Sequence, residues 1–284
     1  MIQVVECPRD AMQGIDKFIP TRLKAEYINM LLKVGFDTID FGSFVSPKAI
    51  PQMRDTAEVL SKLDLDSSSS KLLAIVANSR GAEQAASFNE IQYLGYPFSV
   101  SETFQKRNTN KTIDESLILV DQMQNLAVKQ NKELLVYLSM AFGNPYGESW
   151  HPDIVAKYSE VFANMGIKIL ALSDTIGVST KETITPLFSQ LIPEFKEVTF
   201  GAHLHTNPKD WKEKILAAYQ SGCTRFDTAI QGFGGCPMAK DDLTGNMPTE
   251  KVLSFFNEQK EESGLNPLAF ESAYNKAIEV FLKQ

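Results

Sequence analysis

A chain of 284 residues, 43% hydrophobic and 22% charged, with 16 glycines and 13 prolines, has an ordinary globular composition that excludes disordered and collagen-like classes. Its formal net charge of −7 argues against nucleic acid as the primary partner, and no apolar run approaches the ~18 residues of a membrane span. Three cysteines are too few, and odd in number, for a disulfide framework, which fits a reducing, cytoplasmic setting.

Apolar periodicity predicts a first strand at Ile2–Glu6 and a helix over Arg22–Val34. A strand at Phe36–Phe41 and a helical stretch from about Gln52 to Leu63 follow, then a polar, Ser-rich loop at Asp64–Ser70. The next pairs are Lys71–Ala77 with Gly81–Phe88, and Ile91–Val100 with Ile113–Lys129. Glu133–Ser139 precedes a helix at Pro152–Met165, and Ile167–Leu172 precedes one at Thr180–Leu191. Glu197–His203 leads into Pro208–Ser221, and Thr224–Ile230 into Thr249–Glu261, with a last amphipathic helix at Leu268–Lys283.

Strict strand–helix alternation implies a parallel sheet with helices outside. Eight such units in ~250 residues is the size of a (β/α)8 TIM barrel. An open doubly wound sheet is the alternative, but no Gly-rich dinucleotide fingerprint follows the first strand. The chain is read as one α/β domain over residues 1–284. The barrel runs to about residue 247 and C-terminal helices cover about 248–284.

A barrel carries its chemistry at the carboxyl ends of its strands. Polar residues gather there: Glu6, Arg9 and Asp10; Asp40 and Ser43; Asn78 and Arg80; Ser101 and Glu102; Ser139 and Asn144; Asp174 and Thr175; His203 and His205. Residues two apart on a strand share a face, so His203 and His205 can share one metal ion rather than serve as polar loop residues. His151, the third histidine, reads as a solvated loop residue. Asp10 can supply a carboxylate ligand or pair with Arg9, and Asn246 an amide ligand or a turn beside Gly245. Imidazole, carboxylate and amide together suit Mg2+, Mn2+ or another octahedral ion.

Gly232-Phe233-Gly234-Gly235-Cys236-Pro237 reads as a loop able to close over a substrate, with Cys236 as a working thiol or a bystander. Cys223 reads as core, and Cys7 fits either role.

The stretch Val5-Glu6-Cys7-Pro8-Arg9-Asp10-Ala11-Met12-Gln13 resembles the opening of the hydroxymethylglutaryl-CoA lyases, a metal-dependent barrel family. Further motifs follow in order: Ser43-Phe44-Val45-Ser46-Pro47-Lys48, Asp174-Thr175-Ile176-Gly177-Val178, His203-Leu204-His205, Gly234-Gly235-Cys236-Pro237 and Thr244-Gly245-Asn246. The resemblance implies a metal site of Asp10, His203, His205 and Asn246, with Arg9, Asp174 and Cys236 as catalytic residues and Glu6 and Asp40 as supporting carboxylates. It extends substrate contact to Gln13, Ser43, Lys48 and Thr175, and implies a homodimer. Three departures stand out. Asp40 takes the place of a Glu; Thr206-Asn207 replace Asp-Thr; the stretch from Cys236 to Asn246 is one residue longer.

The implied reaction is cleavage of a 3-hydroxy-acyl-CoA, 3-hydroxy-3-methylglutaryl-CoA foremost, to acetyl-CoA and acetoacetate. The alternatives are a related condensing synthase, or a metal- or CoA-binding relative without activity. The phosphates of CoA would need local cations in an acidic chain; Lys17, Lys48, Lys106 and Arg107 are the candidates.

Overall fold

Strand β1 (Gln3–Glu6) lies between β2 (Thr38–Ser43) and β8 (Arg225–Thr228), parallel to both. From β2 the sheet continues through β3 (Lys71–Ile75), β4 (Ile91–Ser99), β5 (Glu133–Ser139) and β6 (Ile169–Asp174) to β7 (Thr199–Thr206). Pairing of β6 with β7 and of β7 with β8 closes the ring into a TIM barrel. A two-residue strand, β9 (Gly245–Asn246), adds antiparallel to the end of β7, with Asn246 opposite His205. The computed structural model describes residues 2–66, 68–235 and 244–282. The loop cysteine Cys236, Pro237 and the helix end at Lys283 therefore lie outside the described residues.

Helices α1 (Pro8–Gln13), α2 (Thr21–Val34), α3 (Thr56–Leu60), α4 (Ser79–Ala86), α5 (Glu102–Thr109) and α6 (Ile113–Lys129) fall in the first half. The second half carries α7 (Pro152–Asn164), α8 (Lys181–Glu194), α9 (Trp211–Gln220), α10 (Thr249–Glu258) and α11 (Pro267–Leu282). Helix α6 starts where Thr112 and Glu115 form a reciprocal capping box, which satisfies two otherwise orphaned N–H groups. The predicted helix from Gln52 to Leu63 is instead a short 3-10 turn at Pro51–Met53 and α3. Strand β2 starts two residues later than expected, at Thr38, and runs on to Ser43.

Strand alternation sorts the side chains into two layers. Leu73, Ile75, Tyr93, Leu135, Tyr137, Ile169 and Ala171 pack inside the ring, and a larger cluster fills the space between strands and helices. The last helix, α11, packs along α2, with Phe281 edge-on to Tyr27 and Lys276 paired to Glu26. Phe281 also stacks on Phe233, at the base of the glycine loop, with centroids 4.5 Å apart. Among the described residues, no helix is long and apolar enough to cross a membrane.

Candidate active site

Helix α1 does the first piece of positioning. Pro8 at its start has no N–H to lose and a preset φ. One helical turn then stacks Arg9, Asp10 and Gln13 three and four residues apart. Gln13 Nε2 donates to Asp10 Oδ1 at 2.7 Å, and Arg9 Nη1 donates to the same oxygen at 3.0 Å and to Gln13 Oε1 at 2.9 Å. Arg9 Nε meets both oxygens of Asp40, at 3.1 and 3.0 Å, and Nη2 also donates to Asp40. The aspartate reaches the guanidinium fully, so the methylene missing relative to Glu leaves the pair intact.

Strand β7 contributes the imidazoles. His203, His205 and Asp10 bring their ligand atoms within 4.8 Å of one another. His205 Nδ1 lies 3.1 Å from the carbonyl of Thr175. A carbonyl only accepts, so Nδ1 carries the proton and Nε2 bears the lone pair. Nε2 is buried without a hydrogen-bond partner. Leaving such an atom unsatisfied costs about 1–3 kcal/mol, which a ligated cation would offset. Asn246 Nδ2 donates to Asp10 Oδ2 and to the carbonyl of Phe233, both at 2.8 Å, so its amide has only the carbonyl end to offer a metal. Two imidazoles, a carboxylate and an amide oxygen fit a divalent cation.

The glycine loop is built against this cluster. Gly234 has φ +86, and a Cβ there would sit 2.7 Å from the Ala11 Cα and 2.9 Å from the Asp10 carbonyl oxygen and Asn246 Nδ2. Only glycine allows so close an approach.

The electrostatics follow from burial and neighbours. Burial works against the charge of Asp10, but Arg9, His203 and His205 bring its pKa down to about 2. Burial raises Asp40 to about 6, with Arg9 opposing. Burial and the adjacent His203 lower His205, favouring its neutral form. His203 is raised: burial opposes the charge, but hydrogen bonding to Asp227 and that residue's negative charge outweigh it.

A cavity of about 770 Å3 opens over the cluster, and Arg9, Asp10, Gln13, Thr175, His203 and His205 line it. Other predicted residues lie elsewhere. Ser43 is buried and donates to the carbonyl of Ile75, and Lys48 is exposed; neither is a lining residue of the cavity. Asp174 is committed to structure. Its Oδ1 accepts from Val178 N at 2.8 Å, and its Oδ2 accepts from Ser179 and from Lys214 Nζ at 2.8 Å. Asp174 therefore holds the β6 loop and does not present a carboxylate to the cavity. His151 is exposed at the start of α7, as expected.

Glu6 faces the other way. It pairs in register with Thr228 on the outer face of the ring, and accepts from Ile230 N at 2.8 Å and Thr249 Oγ1 at 2.6 Å. Burial raises its pKa to about 8 from 4.5. An acid with a raised folded pKa contributes stability below its unfolded pKa, and that stability is lost as pH climbs. Glu6→Gln is thus expected to gain on the parent between pH 4.5 and about 8, by roughly a decade in the folding constant per unit, then level off. Denaturant titrations at stepped pH measure this; a gap that does not change with pH contradicts it.

Sequence reasoning missed two groups. Tyr137 lines the cavity with a buried hydroxyl lacking a partner. Asp227 lies on β8, 3.1 Å from His203 Nδ1. Each occurs in an apolar strand whose inward register only the closed ring defines.

Comparison with known proteins agrees with this geometry. The HMGL-like family model matches residues 2–275. The chain is 34% identical over 248 residues to the hydroxymethylglutaryl-CoA lyase YngG of Bacillus subtilis, across 87% of this chain and 81% of that protein. It is 32% identical over 268 residues to the cytoplasmic 3-hydroxy-3-methylglutaryl-CoA lyase of Rattus norvegicus, across 93% and 77%. The crystal structure of the HMG-CoA lyase of Bacillus subtilis superposes with a TM-score of 0.92 at 32% identity, over 98% of this chain and 93% of that one. The HMG-CoA lyase of Acinetobacter baumannii, solved in complex with coenzyme A and 3-methylmalate, gives 0.91 at 27% identity, over 99% and 91%.

Proposed function

The chain belongs to the HMGL-like family of carbon–carbon lyases, and from that premise we propose that it cleaves 3-hydroxy-3-methylglutaryl-CoA to acetyl-CoA and acetoacetate with Mg2+ or Mn2+ as cofactor. The observation that carries the reading is the convergence of Asp10, His203 and His205 beneath a cavity that Arg9 also lines. A bound cation would lower the pKa of the substrate's tertiary hydroxyl and orient it with the distal carboxylate. Asp10, His203, His205 and Asn246 would hold it.

The chain's own groups supply the rest. Asp40, Asp10 and Gln13 clamp Arg9 and leave one Nη2 hydrogen for a thioester oxygen. A fixed guanidinium there stabilises the charge that develops as the acetyl-CoA enolate forms. Although its burial opposes charge, Asp40 and Asp10 hold Arg9 more firmly protonated than usual. Gln13 ties Arg9 to Asp10, so electrostatic stabilisation and metal ligation share one helical turn. Cys236 is the proposed proton donor to carbon.

Arg107 and Lys111 line the cavity and are suited to the CoA phosphates. Of the cations nominated from sequence, Lys106 is instead paired with Glu102 at 2.9 Å. The complex of the Acinetobacter baumannii relative with coenzyme A supports an acyl-CoA substrate. A homodimer and a cytoplasmic location complete the proposal.

The test is acetoacetate formation by the purified protein from hydroxymethylglutaryl-CoA, with Mg2+ and Mn2+ varied. Turnover that appears only with a divalent ion supports the reading, and none with any ion overturns it. Cys236→Ala is expected to cut turnover at least tenfold with unchanged Mn2+ binding, and unchanged turnover would make the thiol a bystander.

A further inference from the structure

We infer that Asp227 is the positioning residue that holds His203 in the tautomer able to ligate metal. The inference rests on the proposed role of His203 as a ligand and extends it to a residue outside the ligand set.

Three observations meet at this point. His203 and Asp227 sit on neighbouring strands, β7 and β8, and both point into the ring. Asp227 Oδ2 lies 3.1 Å from His203 Nδ1, with 1% of the Asp227 side chain exposed and 11% of His203. An ionised carboxylate only accepts, so Nδ1 must carry the proton. The lone pair then falls on Nε2, the other edge of the ring. With Nδ1 turned to Asp227, Nε2 is the atom left for a metal shared with Asp10 and His205, whose ligand atoms cluster with those of His203. Which ring nitrogen can bind metal is set by the bond that the other makes.

The two imidazoles are held differently. His205 is oriented by the neutral carbonyl of Thr175, and His203 by a carboxylate. A carboxylate partner also raises the basicity of the far nitrogen, so His203 is built as the stronger donor. Tyr137 packs edge-on against the His203 ring, with centroids 5.3 Å apart, and limits its rotation. The second oxygen of Asp227, Oδ1, is buried with no partner. The residue thus carries a desolvation cost that one hydrogen bond to a ring nitrogen offsets only in part. A site that needs one tautomer gives that cost a purpose.

The chain has three histidines, so imidazole signals are few. The experiment is 15N NMR of the histidine-labelled protein without metal, with His151→Gln removing the exposed ring, beside an EPR titration with Mn2+. In the wild type the neutral His203 ring is expected to be protonated at Nδ1. Asp227→Leu removes the acceptor, and is expected to mix the tautomers and weaken Mn2+ binding about 10- to 100-fold. Asp227→Asn keeps an acceptor oxygen and is expected to retain the Nδ1–H form and bind between the two.

A neutral wild-type ring protonated at Nε2 overturns the inference, and needs no variant to fold. So does an Asp227→Leu protein with unchanged tautomer and unchanged Mn2+ affinity. Mn2+ bound equally by wild type and Asp227→Leu leaves the metal-site reading standing while this inference falls. A wild type that binds no Mn2+ overturns both.

Discussion

Replacing Arg9 by lysine is expected to lower kcat by about 10²- to 10³-fold, the effect of losing one preorganised donor at a developing oxyanion. Lysine keeps the charge and loses the geometry. Arg9 turns Nε and Nη2 to Asp40 while Nη1 reaches Asp10 and Gln13. An ammonium on a flexible stem cannot span those positions and still present a hydrogen to substrate. Two buried carboxylates are also left with a single point charge between them. Steady-state kinetics with saturating Mn2+ would measure the loss, and Mn2+ titration would show whether the proposed ligand Asp10 is disturbed. A kcat within threefold of the parent would remove Arg9 from the chemistry.

The second large effect is on stability. Lys214→Met is expected to destabilise the fold by about 3–5 kcal/mol, because it strands a buried carboxylate. Lys214 Nζ donates to Asp174 at 2.8 Å, to the Gly177 carbonyl at 3.0 Å and to the His205 carbonyl at 2.8 Å. It thus fastens the β6 loop to the strand that carries the imidazoles. For a chain of this size the expected fall in Tm is about 6–20 °C. Adding Asp174→Asn should recover part of that loss by removing the orphaned charge, which a double-mutant cycle resolves. A Tm within 2 °C of the parent would show that the buried pair contributes little.

Much of this architecture was legible from strand–helix alternation and from two histidines two residues apart. Helical periods such as Ile113–Lys129 match the structure to the residue. The short elements were harder. Helix α1 is six residues long, too short for periodicity, although Pro8 at its start and Asp10 in its first turn are recognisable signals. Helix α5 falls in a stretch where apolar periodicity marks no element, yet Ser101 caps it by accepting from Phe104 N. The two residues of β9 carry no pattern at all. Asp227 and Tyr137 could not be assigned because their facing depends on register between strands distant in sequence, as with Val5 against Asp227. Asp174 is a related case. A carboxylate at a strand end is a candidate for chemistry, and the lysine forty residues on that pairs with it comes beside it only in the fold.

The two ends of the glycine loop are pinned by separate devices. At one end, a Cβ on Gly235 would meet the Thr244 carbonyl oxygen at 2.8 Å, while Phe233 stacks on Phe281. At the other, Asn246 is paired across from His205. The described residues that flank the stretch 236–243 are therefore held beside the Asp10 and His205 cluster. Loop-closure entropy grows only as the logarithm of length, about 0.6 kcal/mol per doubling. One extra residue there should cost a small fraction of that. An insertion between residues 235 and 244 would thus carry almost no thermodynamic cost, whereas Asn246 is hydrogen-bonded to Asp10 and a Cβ on Gly234 would collide with the Asp10 carbonyl oxygen.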